Sequence, residues 1–114
     1  MTPANFIVNE FKIMWLFVMF DLPVTTRSEK KRYTRFVNGL KRRAFSRLQF
    51  SIYARPYSDE RASSSARLEI KGEVPPGGNV RLLSVTDHQF GKMDSFLGKK
   101  RVEIEKPLGQ IELF

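Results

Sequence analysis

The sequence predicts an α+β domain in which one sheet carries its helices on a single face. Three features predict this class: an uninterrupted apolar run at residues 13–20, a basic amphipathic segment directly after it, and later strand-like segments that alternate with helix-like ones. The chain has 114 residues, the usual size of one domain. We expect that domain to cover residues 12–114, and residues 1–11 to form an N-terminal extension.

The apolar run at residues 13–20 is too short for a surface helix. Its aromatic and β-branched side chains predict a central strand that is buried on both faces and ends at Asp21. Residues 26–29, TRSE, form a capping box, in which a hydroxyl and a carboxylate bind the free amides of a helix start. A helix is predicted over residues 26–44, and its apolar stripe consists of Tyr33, Phe36, Val37, Leu40 and Ala44.

Residues 45–53 alternate between apolar and polar side chains, which predicts one half-buried strand with Leu48, Phe50 and Ile52 facing inward. Pro56 is expected to close this strand. The remaining predicted elements are a helix within residues 59–73, a turn at 75–79, a strand at 80–86, a capping box at Thr86 with a short helix that ends at Gly98, and two short strands near residues 102–104 and 111–114.

The order of these elements favours a ferredoxin-like βαββαβ sheet, whose helices pack on one face. The other face of such a sheet needs cover, which a second copy of the chain would provide. The terminal segment at residues 111–114, IELF, is short and apolar, so it is a candidate for exchange into the sheet of a partner in a homodimer. An ordinary edge strand of its own sheet explains the same pattern.

The positive charge of the sequence is concentrated in one segment. The whole chain has a formal net charge of +8, and residues 27–47 alone carry nine Lys or Arg and one acid, Glu29. A solvated helix face usually mixes both signs, so this segment repels itself unless a polyanion binds it. Phosphate contacts of this kind set affinity and position, and they do not read base sequence. The candidate nucleic-acid-binding residues are Arg27, Lys30, Lys31, Arg32, Lys41, Arg42, Arg43 and Arg47.

Composition argues against several classes of protein. The chain contains no Cys, so disulfides and thiolate metal sites are excluded. The apolar run of eight residues is far shorter than the roughly 20 residues that span a bilayer. The N-terminus lacks the basic start and the apolar block of a secretory signal. We therefore expect a cytoplasmic protein without a membrane partner.

Asp21 is the single acid at the end of the most hydrophobic segment. A carboxylate before Leu-Pro can shape the loop by accepting hydrogen bonds from backbone amides. Alternatively, a two-fold axis would bring Asp21 and its copy together, and the pair would hold one Mg²⁺ ion that activates water. His88, the only histidine, lies in a helix-start sequence and is interpreted as a surface or capping residue.

Five segments in order resemble one family: WLFVMFDLPVTT, the basic helix, FSRLQFSIYARP, PPGGNVRLLSVTDHQF and QIELF. Over residues 13–114 they are similar to the small spacer-acquisition protein of CRISPR systems, the second universal CRISPR-associated protein, in its type II branch. The resemblance implies a ferredoxin-like fold and a homodimer with exchanged terminal strands. It also implies a scaffold that binds double-stranded DNA, the prespacer, and bridges the CRISPR integrase.

The resemblance further implies a metal-dependent endonuclease that cleaves RNA or DNA. The first-strand aspartate of the family matches Asp21, which would bind Mg²⁺ at the dimer axis. Other positions implicated in the activity match Arg35, Arg47 and Tyr53, with Ser51 nearby. The two arginines would contact the phosphate, and Tyr53 stands where relatives commonly have phenylalanine.

Two functions follow from the resemblance and are compatible with one another: a DNA-bridging subunit of CRISPR adaptation and a Mg²⁺-dependent endonuclease. A stand-alone toxin-type ribonuclease of similar fold and a non-catalytic basic nucleic-acid-binding module are the alternatives. Neighbouring genes discriminate between them, because an adjacent integrase and a repeat array would select adaptation.

Overall fold

A computed structural model describes residues 13–98, and within them four strands and three α-helices follow one another. The chain also forms one turn of 3-10 helix, Arg61–Ser63, before its second α-helix. The elements are β1 (Met14–Asp21), α1 (Arg27–Arg42), β2 (Ser46–Gln49), β3 (Ile52–Tyr57), α2 (Ser64–Gly72), β4 (Asn79–Thr86) and α3 (Asp87–Gly91).

The four strands form one sheet in the order β2-β3-β1-β4. All three neighbouring pairs are antiparallel, with β1 at the centre between β3 and β4. This arrangement confirms the predicted α+β class and agrees with the ferredoxin-like fold. In the part of the chain that the structure describes, the outer edge of β4 pairs with no strand.

The predicted capping box at the start of α1 is present. Thr26 is the N-cap residue; its side-chain oxygen accepts a hydrogen bond from the Glu29 amide at 3.1 Å, and Glu29 Oε1 accepts one from the Thr26 amide at 2.9 Å. The amides of Thr26 and Thr25 both donate hydrogen bonds to the Glu29 carboxylate, and they lower its pKa, Thr26 foremost, because they favour the charged form. A second box joins Thr86 and Gln89 at the start of α3, also as predicted.

The core lies between the sheet and the two longer helices. One face of β1 contributes Leu16, Val18 and Phe20, each at most 6% exposed. The apolar faces of α1 and α2 pack onto this layer, as helix periodicity predicts. Their buried side chains, with those of β3, are Phe36, Val37, Leu40, Ala66, Ile70, Tyr53 and Tyr57.

The predicted single strand at residues 45–53 is wrong, because this segment folds into the hairpin of β2 and β3. The register passes from Arg47 opposite Tyr53 to Gln49 opposite Ile52, which leaves Leu48 as an extra residue in a bulge. The bulge and the turn at residues 50–51 break the period of two. As a result Leu48 and Phe50 are exposed rather than inward-facing.

Three other details differ from the prediction: the burial of β1, the position of Pro56 and the end of α3. Strand β1 is fully buried on one face only, since Trp15, Phe17 and Met19 alternate with its core residues and are half-buried. Pro56 lies inside β3 and does not close it. Because β2 begins opposite Ala54, no strand of residues 13–98 lies on that side of Pro56.

Helix α3 ends at Gly91 rather than at Gly98. Met93 and Leu97, which would anchor the predicted longer helix, are 48% and 71% exposed and therefore provide little apolar contact to extend it. The predicted extension at residues 1–11 and the strands near 102–104 and 111–114 lie outside the described residues. No helix within residues 13–98 has the length and apolar character needed to cross a membrane.

Candidate nucleic-acid interface

The outer face of α1 carries most of the predicted phosphate-binding residues. Its basic side chains recur at helical spacing and form a continuous solvent-facing stripe. The only acid of this helix, Glu29, is engaged at the N-terminus in the capping box, so the stripe lacks alternating negative charges. The residues along this stripe are Arg27, Lys30, Lys31, Thr34, Arg35, Asn38 and Arg42.

Arg43 differs from the other predicted nucleic-acid-binding residues because two carboxylates engage its guanidinium. Its Nε lies 2.8 Å from Glu69 Oε1, and its terminal nitrogens lie 2.5 Å and 3.1 Å from the two oxygens of Glu73. These hydrogen bonds, the Glu73 bond foremost, raise the pKa of Arg43. The side chain is only 19% exposed, so its charge ties α1 to α2 rather than adding to the stripe.

A cleft of about 390 Å³ lies beside the stripe, between α1 and the turn that leads to β4. Arg32, Arg35 and Arg42 line it on the helix side. The facing wall consists of Glu73, Pro75 and Pro76. Lys41, the remaining predicted contact on α1, is exposed in its last turn.

Asp21 is exposed at the end of β1 and shares a sheet face with Trp15, Phe17 and Met19, because side chains alternate along a strand. Asn79 of β4 lies directly opposite Asp21. We call the surface around these residues the open face. It also includes Ile52 and Ala54 of β3 and Arg81, Leu83 and Val85 of β4.

The open face is apolar and only partly covered. Phe90 of α3 stacks on Trp15, with ring centres 3.9 Å apart, and meets the edge of Phe17. The indole nitrogen of Trp15 donates a hydrogen bond to Asp87 at 2.7 Å, which holds α3 against this end of the face. Leu83, opposite Phe17, remains 50% exposed. A stretch of apolar sheet therefore runs from α3 as far as Met19, next to which Arg81 and Asp21 lie.

The structure brings some of the predicted catalytic residues together within one chain. The Phe20 amide donates a hydrogen bond to the Ser51 carbonyl at 3.1 Å, which places Ser51 beside the end of β1 and Asp21. Arg47 lies opposite Tyr53 on the neighbouring strands. Tyr53 is only 2% exposed and stacks on Phe20, so it faces the core and not the open face.

Arg35 lies apart from that group. It lines the cleft beside Pro75 and Pro76. Tyr33 precedes Arg35 by two residues, which is about 200° around the helix, and it packs beside Phe20 and Phe50 on the other side. Burial raises the pKa of the Tyr33 phenol, Tyr53 raises it further, and Arg47 opposes them. Tyr33 is therefore a neutral hydroxyl at pH 7.

A single chain does not complete a magnesium site within residues 13–98. No group of three or more His, Asp or Glu side chains in this range is arranged to hold a metal ion. The carboxylate of Asp21 has the oxygen chemistry that Mg²⁺ prefers. Its exposure at the end of the open face leaves it accessible to a second carboxylate from another copy.

Two exposed residues of this region are missed by sequence reasoning. Alternation along the sequence places Phe50 in the core, but it is 70% exposed at the tip of the β2–β3 hairpin. Arg81 lies on the open face, opposite Met19 and beside the Asp21–Asn79 pair. The alternation of β4 could have identified Arg81, since its neighbours Val80 and Leu82 pack against the core.

Comparison with known proteins places the chain in a family. The family described as CRISPR associated protein Cas2 matches residues 14–93. The chain belongs to the Cas2 family. That match spans every element from β1 to α3 and contains Asp21, Arg35, Arg47, Ser51 and Tyr53.

Curated Cas2 proteins resemble the chain over nearly its full length. A Flavobacterium psychrophilum protein named CRISPR-associated endoribonuclease Cas2 is 39% identical over 107 residues, which are 94% of this chain and 93% of the relative. Proteins of the same name from Paracidovorax avenae and Parvibaculum lavamentivorans are each 36% identical over 104 residues. These alignments cover 91% and 89% of this chain and 96% and 100% of the two relatives.

Proposed function

We propose that this Cas2 chain acts in CRISPR adaptation as a homodimeric scaffold that binds duplex DNA by its phosphates and bridges the CRISPR integrase. The observation that carries the proposal is the basic stripe on the outer face of α1. Its cations are close together without interspersed carboxylates, and a phosphate backbone relieves their repulsion while counterions are released. In this role the protein would act in the cytoplasm, together with the DNA.

The open face supports the homodimer. Its apolar side chains, Leu83 among them, share this face with Asp21, and a second copy packed on this face would bury them and bring two Asp21 carboxylates towards one axis. We propose a second contact between the copies, the exchange of the terminal strand at residues 111–114. The unpaired outer edge of β4 within the described residues offers a place for an added strand.

A second function, Mg²⁺-dependent endonuclease, is favoured by the exposed strand-end carboxylate of Asp21. The curated relatives are named endoribonucleases, so RNA is the first substrate to examine and DNA the second. In the dimer the two Asp21 carboxylates would hold the ion, which supplies a water of lowered pKa as nucleophile and neutralises phosphate charge.

The other assigned residues serve this activity from different positions. Arg35, in the cleft beside α1, and Arg47, on β2, neutralise phosphates of the bound strand. Tyr53, packed on Phe20, fixes β3 beside the end of β1, so we assign it a positioning role. Ser51 aligns the hairpin with β1 through its backbone carbonyl.

Duplex binding as a function of salt tests the scaffold function. Lys31→Gln with Arg42→Gln removes two charges of the stripe; Arg61→Gln with Lys71→Gln removes the same charge from exposed residues outside it. We expect the first pair to weaken duplex binding and to reduce the slope of log affinity against log salt by about 0.9 for each phosphate that is no longer neutralised. Equal effects of both pairs would mean that net charge alone attracts DNA.

Cleavage assays on RNA and DNA with Mg²⁺ test the nuclease function. We expect Asp21→Asn to reduce the rate about 100-fold or more, since even an indirect partner of a metal is commonly worth 10–100-fold. Asp94→Asn, at another exposed acid, is the matched control, and chelation of the metal should abolish cleavage. Cleavage that persists in Asp21→Asn would remove the nuclease function and leave the scaffold. Slowed growth on expression without an integrase would instead support a toxin-type ribonuclease.

A further inference from the structure

Phe50 occupies an unusual place for a large apolar side chain. It lies in the turn at residues 50–51 that joins β2 and β3, and 70% of it is exposed. Two-residue hairpin turns favour Asn, Asp and Gly because of their backbone geometry, so the turn itself gives no reason for phenylalanine. The ring is therefore available for a contact outside the chain.

Aromatic packing holds the Phe50 ring in place from below. Tyr33 lies nearly parallel to it, at 24° and with ring centres 6.2 Å apart. Tyr33 in turn packs on Phe20, with ring centres 6.1 Å apart. Three neighbouring rings therefore lead from the core to the surface. A ring fixed in this way loses little side-chain freedom when another flat group stacks on it.

The charge around Phe50 favours a nucleotide. The guanidinium of Arg47 lies 5.9 Å from the centre of the Phe50 ring, and Arg47 is exposed. An aromatic ring beside an exposed arginine is the pairing with which single-stranded nucleic acids are held, the ring for the base and the cation for its phosphate.

The hairpin tip also lies beside the end of β1. The hydrogen bond from the Phe20 amide to the Ser51 carbonyl, 3.1 Å long, joins β1 to the turn. Asp21 follows Phe20 and Phe50 precedes Ser51, but their side chains lie on opposite sides of the sheet. The Phe50 ring packs on Tyr33 of α1, whereas Asp21 belongs to the open face.

We propose that Phe50 stacks an unpaired base and Arg47 binds the adjacent phosphate, so that the hairpin tip is a binding site for single-stranded nucleic acid. The inference goes beyond the proposed scaffold and nuclease functions, because it concerns a separate binding site. Bases inside a duplex are stacked on one another and offer no free face to the ring, whereas the stripe on α1 contacts phosphates of either form. Single-strand binding thus depends on Phe50 in addition to the stripe, whereas duplex binding does not depend on Phe50.

Binding of short oligonucleotides in chelator, where no cleavage occurs, tests this. The probes are a single-stranded 12-mer and a duplex of the same length, with Phe50→Leu and, as matched control, Phe96→Leu at another exposed phenylalanine, 91% exposed. We expect Phe50→Leu to weaken single-strand binding about tenfold, the range that the stacking of one base supplies, and to leave duplex binding within about twofold. Phe96→Leu should change neither.

A second variant reads the stacking directly. In Phe50→Trp the introduced indole should stack on the base, and the single strand should quench its fluorescence while the duplex does not. The wild type, whose only Trp is Trp15, supplies the background signal. Equal quenching by both probes would overturn the inference, and this readout holds even if Phe50→Leu folds poorly.

Two further outcomes would overturn the assignment. An equal loss of single-strand and duplex affinity in Phe50→Leu would mean that the ring only supports Tyr33. A lower oligomeric mass of Phe50→Leu would mean that the ring packs against another copy. Failure of the nuclease function appears separately, as absence of Asp21-dependent cleavage while the stacking signal persists.

Discussion

At the scale of single residues, Ala44 adopts a conformation that proteins usually give to glycine. Its φ is +66°, in the left-handed region, directly after the C-cap of α1. The Phe45 amide donates to the Leu40 carbonyl and the Ala44 amide to the Lys41 carbonyl, both at 3.0 Å, which completes a Schellman motif. The helix end is thus well bonded but strained at one Cβ.

Ala44→Gly should therefore stabilise the protein. Left-handed backbone costs an L-residue about 1–2 kcal/mol, and the greater freedom of glycine in the unfolded chain offsets part of the relief, so we expect a gain of about 0.5–1 kcal/mol. Urea unfolding followed by circular dichroism measures it. Ala62→Gly, at a site without positive φ, is the control and should destabilise; a loss of stability in both variants would contradict the argument.

At the scale of elements, the first capping box makes the start of α1 sensitive to acid. The pKa of Glu29 is lowered from 4.5 by the hydrogen bonds that its carboxylate accepts, first from the Thr26 amide. A depressed pKa in the folded state means that the charged carboxylate stabilises the fold above about pH 4.5 and that this contribution is lost as the pH falls through the folded-state pKa. The second box, with Gln89, has no such charge.

Glu29→Gln should remove this component while keeping an oxygen that can accept the amide hydrogen bonds. We expect the wild type to be more stable than the variant at pH 7 and the difference to shrink by about pH 3. Unfolding in urea at the two pH values measures it. The reciprocal change, Gln89→Glu, should add a similar dependence at α3. A difference between wild type and Glu29→Gln that stays constant with pH would contradict the assignment.

Local signals explain which elements the sequence could predict. The prediction of helix α1 is correct within about two residues because its capping box and apolar stripe are both short-range patterns. The β2–β3 hairpin escapes prediction because its turn contains Phe50 and Ser51 and its bulge shifts the register, neither of which is visible as a break in alternation. The pattern consequently assigns Phe50 to the core.

Some candidate site residues, like some elements, follow from local patterns, and others depend on tertiary packing. The stripe on α1 follows from helix periodicity alone, since it needs only the positions of Lys and Arg. The engagement of Arg43 by Glu69 and Glu73 depends on how α2 packs against α1, 26 and 30 residues along the chain. No local pattern distinguishes Arg43 from the exposed Arg42 beside it, so tertiary packing decides which cations remain available.

At the scale of the whole molecule, the two faces of the sheet differ in what covers them. Helices α1 and α2 cover one face and turn their cations outward, while the open face carries Phe17, Met19 and Leu83 together with Asp21. Because α3 covers only the end near Trp15, self-association through the rest of the face would bury apolar surface and bring the two acids together. Assembly and the metal site would then depend on the same contact.

Leu83→Lys should separate the copies without unfolding them. Leu83 is 50% exposed on the open face, so a lysine there is tolerated in one chain but would place two unpaired charges in the proposed interface. Light scattering should give twice the 13.3 kDa of the chain for the wild type and a single chain for the variant, with Asp21-dependent cleavage lost as well. Leu68→Lys, at a 69% exposed leucine on α2, is the matched control. A variant that stays dimeric would show that the copies meet elsewhere, and the pairing of the two Asp21 carboxylates would lose its support.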